Sequence, residues 1–129
     1  QEQDAALARI SYTTELADLA RSDLIIEAIV EDPEAKSSLF RDLDKLCSGR
    51  TIFASNTSSL AVTPMALASG RPDRFVGLHY FNPVQLMRLV EVVATDHTDA
   101  AVAATVDAWA EATGKTTVAC KVKKIRASP

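Results

Sequence analysis

His79 follows the apolar run Phe75-Val76-Gly77-Leu78 and precedes a polar turn at Asn82-Pro83. A neutral imidazole is the usual proton acceptor or donor near neutral pH, and a positioned one accelerates proton transfer by roughly 10²–10⁴. The same position also suits a half-buried histidine bonded to backbone. Glu91 lies twelve positions further on, inside Leu89-Val90-Glu91-Val92-Val93. A carboxylate within such a run is costly unless it has a partner. An imidazole would be such a partner, because the acid fixes the ring tautomer and stabilises the imidazolium. The competing possibility is a strand glutamate facing solvent between two inward neighbours. Arg88, three residues from Glu91, should point to the opposite face.

Ser58 belongs to the run Ser55-Asn56-Thr57-Ser58-Ser59, where a strand gives way to a helix. Its hydroxyl could donate to a substrate oxygen or a cofactor amide, but capping of the next helix by Ser58 or Ser59 is the commoner use. A serine nucleophile is disfavoured, since the turn lacks the flanking glycines of a nucleophile elbow. Glu31 and Lys36 bracket a helix start. Five residues apart, they do not make a helical ion pair, and they are expected either to bond a ribose or to be solvated. His97, at a helix start, reads as a surface residue. Cys47 and Cys120 read as ordinary buried or half-buried thiols, and the cysteines and histidines lack metal-ligand spacing.

The elements that must position these groups alternate. Ile10 to Thr13 is strand-like, and Asp23 to Val30 reads as a strand covered on both faces. Asp32-Pro33 is a helix start, with Leu39, Phe40, Leu43 and Leu46 at helical spacing and Gly49 placed for a left-handed cap. Strands follow at Thr51–Ala54, Arg74–Leu78, Met87–Val93 and Thr116–Ala119. A helix from Thr63-Pro64 to about Ala68 and another with Val102, Val106 and Trp109 on one face separate them, with Gly70 and Gly114 past their ends. Such alternation predicts one α/β domain with a largely parallel sheet, whose strand carboxyl ends meet a ligand crevice.

Composition narrows the function. With 129 residues, 47% of them apolar, and a net charge of -3, the chain can bury a core and gives no electrostatic reason to expect nucleic acid or an anionic membrane as partner. No apolar run approaches membrane-spanning length, and the acidic start does not resemble a signal peptide, so a cytoplasmic or mitochondrial-matrix location is expected. The missing initiator methionine and the aperiodic basic tail from Val122 to Pro129 suggest a piece of a longer chain. The four glycines stand alone at 49, 70, 77 and 114, so there is no G-x-G-x-x-G turn to cradle a pyrophosphate.

Four segments together resemble the L-3-hydroxyacyl-CoA dehydrogenase family: Ile26 to Glu31, Phe53 to Leu60, Arg74 to Val84 and Met87 to Val93. The resemblance covers about residues 5 to 121. It implies a partial Rossmann-like sheet with helices on both faces, lacking the first strand–helix unit, over residues 1–121, and a basic tail over residues 122–129 expected to be disordered. By the same resemblance His79 matches the catalytic base, Glu91 its paired acid, and Ser58 a serine touching both substrate and nicotinamide. Asn82, Glu31 and Lys36 match further NAD contacts. The family oxidises the 3-hydroxyl of an acyl-CoA with NAD, and its members dimerise through a C-terminal helical domain that has no counterpart in this sequence. The isolated chain is therefore expected to be inactive.

Overall fold

The computed structural model describes residues 1–58 and 61–122; Ser59, Leu60 and nearly all of the basic tail lie outside the described residues. The chain runs through α1 (Glu2–Ala8), β1 (Leu24–Glu27), α2 (Pro33–Leu46), β2 (Ile52–Ser55), α3 (Val62–Ala68), β3 (Phe75–Tyr80), β4 (Leu89–Ala94), α4 (Ala100–Ala112) and β5 (Thr116–Lys121). The five strands form one sheet in sequence order. β1, β2 and β3 are mutually parallel, and so are β4 and β5, but β3 and β4 pair antiparallel. The eight residues from Phe81 to Arg88 are too few for a crossover, so the chain can only return antiparallel.

Helices cover both faces of the sheet. On one, α2 and α3 pack Phe40, Leu43, Val62 and Met65 over Ile25, Phe53, Phe75 and Val93. On the other, Val102 and Val106 of α4 cover Val76, Leu78, Val90 and Val92. Because strand side chains alternate between faces, the residue two beyond each core residue returns to the same face, higher up. The α2–α3 face therefore reads Ile25 then Glu27, Phe53 then Ser55, Phe75 then Gly77 and His79, with Glu91 beside Val93 on the reversed strand. An apolar floor is topped by a polar row at the carboxyl ends of β1–β3.

Gly77 in that row permits close packing. A Cβ there would stand 2.8 Å from Val62 Cγ2 and 2.9 Å from Val93 Cβ, both inside the core. Gly77→Ala is expected to cost about 1–3 kcal/mol through overpacking. Urea unfolding at neutral pH measures it, and an unchanged midpoint would show that α3 moves aside freely.

Several local expectations are met. Asp32 caps α2, accepting from the Glu34 amide at 3.0 Å with Pro33 at the first helical position, and Gly70 (φ 84°) and Gly114 (φ 94°) adopt left-handed turns. Others are corrected. Ile10–Thr13 is not a strand, since no described strand lies beside it to pair with. Gly49 has no positive φ, because α2 ends at Leu46 with Cys47 already extended. Trp109 is 39% exposed, as the buried stripe of α4 continues from Val106 to Ala110 instead. No described helix is long and apolar enough to cross a membrane.

Candidate active site

His79 and Glu91 are directly opposite each other in the β3–β4 ladder. Opposed residues of an antiparallel pair point to the same face with Cβ atoms about 5 Å apart. The register thus delivers the contact: Nδ1 of His79 lies 2.8 Å from Oε1 of Glu91, each side chain about one-third exposed, 31% and 32%. This hydrogen bond, helped by a second from Cys120, holds the Glu91 carboxyl below its ordinary range. Glu91 is therefore the acceptor and Nδ1 carries the proton. In the neutral ring, Nε2 is left with its lone pair free. The ring also packs against Phe81, with centroids 4.8 Å apart.

Next to the ring, a cleft of about 310 Å³ is lined by Glu31, Asn56, Thr57, Ser58, His79, Tyr80 and Asn82. Four of the six residues singled out from the sequence meet there: His79, Ser58, Asn82 and Glu31. Glu91 stands behind the histidine. Ser58 is exposed, and its carbonyl accepts from the Ala61 amide at 3.3 Å. The N-cap of α3 is Ala61, which makes no side-chain cap hydrogen bond. Asn56 closes the cleft's floor by accepting from the Tyr80 amide at 3.2 Å while its own amide donates to the Glu27 carbonyl at 2.8 Å.

Lys36 departs from expectation. It is 1% exposed and does not reach the cleft surface. Its ammonium lies 2.7 Å from Glu31 and 3.2 Å from Glu27, so Glu31 and Lys36 are an ion pair after all. The helical spacing rule does not apply, because Glu31 precedes the helix and folds back over its first turn. Glu27, whose side chain has no exposure, also accepts from the Ile29 amide at 2.8 Å and from the Ser55 hydroxyl. Thr57 donates to the second oxygen of Glu31 at 3.5 Å. Sequence reasoning missed Glu27, although an acid inside Leu24-Ile25-Ile26-Glu27-Ala28-Ile29 carries the signal that marked Glu91. It also passed over Cys120, whose strand-neighbour relation to Glu91 is not visible along the chain.

The donor set suits part of a dinucleotide. Hydroxyls, amides and one exposed carboxylate at the ends of parallel strands fit a nicotinamide and its ribose, and the described residues include no glycine-rich turn to fit the phosphates.

Residues 1–123 match the family model described as 3-hydroxyacyl-CoA dehydrogenase, NAD binding domain. Over 117 residues the chain is 46% identical to a probable 3-hydroxybutyryl-CoA dehydrogenase of Deinococcus radiodurans, covering 91% of this chain and 42% of that protein. Over 119 residues it is 49% identical to the mitochondrial hydroxyacyl-coenzyme A dehydrogenase of Sus scrofa, covering 92% and 38%. The crystal structure of (S)-3-hydroxybutyryl-CoA dehydrogenase from Ralstonia eutropha superposes with a TM-score of 0.89 at 38% identity, over 95% of this chain and 44% of that one. The chain thus spans about two-fifths of the length of these relatives. With the sheet and the family model in agreement, the chain belongs to the 3-hydroxyacyl-CoA dehydrogenase family and carries sequence of its NAD-binding domain.

Proposed function

We propose that this chain supplies the proton-transfer half of an NAD-dependent oxidation of L-3-hydroxyacyl-CoA to 3-ketoacyl-CoA. The observation that carries this is the 2.8 Å contact between His79 Nδ1 and Glu91 Oε1, with the ring at the edge of a polar cleft. Nε2 takes the proton of the substrate's 3-hydroxyl. Glu91 stabilises the resulting imidazolium and keeps the ring in one orientation. Ser58 donates to the substrate oxygen, and Asn82 and Glu31 contact the nicotinamide ribose side of the cleft. Lys36 acts through Glu31, holding its carboxylate in place. The NAD that Ser58, Asn82 and Glu31 would help to hold would supply the hydride acceptor for C3. Without a phosphate cradle, these 129 residues alone bind NAD weakly and do not turn over.

A chimera tests this. Residues 1–122 replace the matching segment of the Sus scrofa enzyme, and NADH oxidation is followed with a 3-ketoacyl-CoA. Activity in the chimera and none in the 129-residue chain is the expected pattern. A folded, NAD-binding chimera without turnover would show that these residues do not make a competent site.

A further inference from the structure

Glu91 has two oxygens, and each has its own partner. Oε1 is 2.8 Å from His79 on β3, and Oε2 is 3.2 Å from the thiol of Cys120 on β5. The three residues come from three adjacent strands. Cys120 stands opposite Val93 in the β4–β5 register, one step diagonally from Glu91, and packs against the α2–α3 side of the core. We propose that Cys120 is a positioning residue for the His79–Glu91 pair, its thiol donating to the carboxylate and holding Glu91 in place against the imidazole. This deepens the function proposed above and rests on it.

The chemistry of the thiol suits that role. The last torsion of a glutamate is broad, so a carboxylate held by one oxygen alone swings readily and weakens its contact with Nδ1. A second donor on the other oxygen stops the swing. A thiol is a weak donor, so it orients the carboxylate without drawing away the charge that an imidazolium needs. The proton stays on sulfur: Glu91 is held below its ordinary range by His79 and then Cys120, while the bond to Glu91, and then burial, raise the Cys120 thiol. Among the described residues the other charges on this side are paired elsewhere: on α2, Lys36 with Glu27 and Glu31, and Asp44 with Arg71. Lys121, the next residue on β5, faces Asp96 at 3.7 Å, and α3, which packs on β3, has no ionisable side chain.

A carboxylate held at both oxygens keeps its contact with Nδ1, so removing the thiol loosens the hydrogen bond to the ring. In the 129-residue chain, with the His79 ring nitrogens followed by NMR, Cys120→Ala is expected to cut the preference of the neutral ring for a proton on Nδ1 about threefold. Cys120→Ser, which restores a donor, is expected to keep the wild-type preference. An unchanged preference in Cys120→Ala, or the same loss in Cys120→Ser, overturns the proposal. Alkylation by iodoacetamide, mapped by mass spectrometry, reads the bond from the other side. Glu91→Gln is expected to speed modification of Cys120 about fivefold at neutral pH by freeing the thiolate, with Cys47 as the unchanged internal control. Equal rates in Glu91→Gln and wild type also overturn it. Neither readout depends on turnover. An inactive chimera alongside both changes would remove the dehydrogenase mechanism and leave the Cys120–Glu91–His79 arrangement standing.

Discussion

Replacing His79 by glutamine in the active chimera is expected to lower kcat by roughly 10²–10⁴, with little change in the Kd for NAD. Glutamine keeps the approximate length of the side chain and can still donate to Glu91 Oε1, where the imidazole now bonds at 2.8 Å. It cannot accept a proton near neutral pH. The substitution therefore removes the base while keeping the cleft wall, separating proton transfer from binding. Steady-state kinetics with a 3-hydroxyacyl-CoA and calorimetry with NAD measure the two effects. A kcat within threefold of the parent chimera would eliminate His79 as the base. A large rise in Kd with kcat intact would make it a binding residue instead.

Lys36→Met is expected to destabilise the chain by about 3–5 kcal/mol, the usual result of leaving one member of a buried ion pair without the other. Only 2% of the Lys36 side chain and none of the Glu27 side chain are exposed, so water cannot take the place of the lost partner. Such a loss is a large part of a domain's total stability of about 5–15 kcal/mol. The double variant Lys36→Met with Glu27→Gln should recover at least half of it. The amide carries no charge, and its oxygen can still accept from the Ser55 hydroxyl, as Glu27 does now. Urea unfolding of the two variants beside wild type at neutral pH gives both differences. A single-variant loss under 1 kcal/mol would mean that the Glu27 side chain finds water or a proton when the ammonium is gone.

The two acids set inside apolar strands show how far a linear reading reaches. Glu91 was legible because a carboxylate amid Leu89, Val90, Val92 and Val93 demands a partner, and an imidazole was near in sequence. Glu27 carries the same signature in its strand. Its partner Lys36 comes from the following helix, and the five-residue spacing between Lys36 and Glu31 is not a helical one, so the network stayed hidden. Ser58 was ambiguous between cap and ligand. The described part of α3 begins at Val62 with Ala61 at its N-cap, and Ser58 lines the cleft.

By itself the sequence determined the local elements of this protein. Its alternating runs, the Asp32-Pro33 helix start, the glycines at 70 and 114 and the polar residues that follow the buried strands all follow from short-range propensity and period. Only the tertiary structure decided the pairing. Expectation favoured a largely parallel sheet with Glu91 inside its strand, and Glu91 lies on the strand that runs back antiparallel to its neighbour β3. That reversal sets His79 against Glu91 and brings Cys120 up behind it from β5. Which residues face one another across a sheet depends on strand direction and register, and a slip of one residue would turn every one of these side chains to the other face.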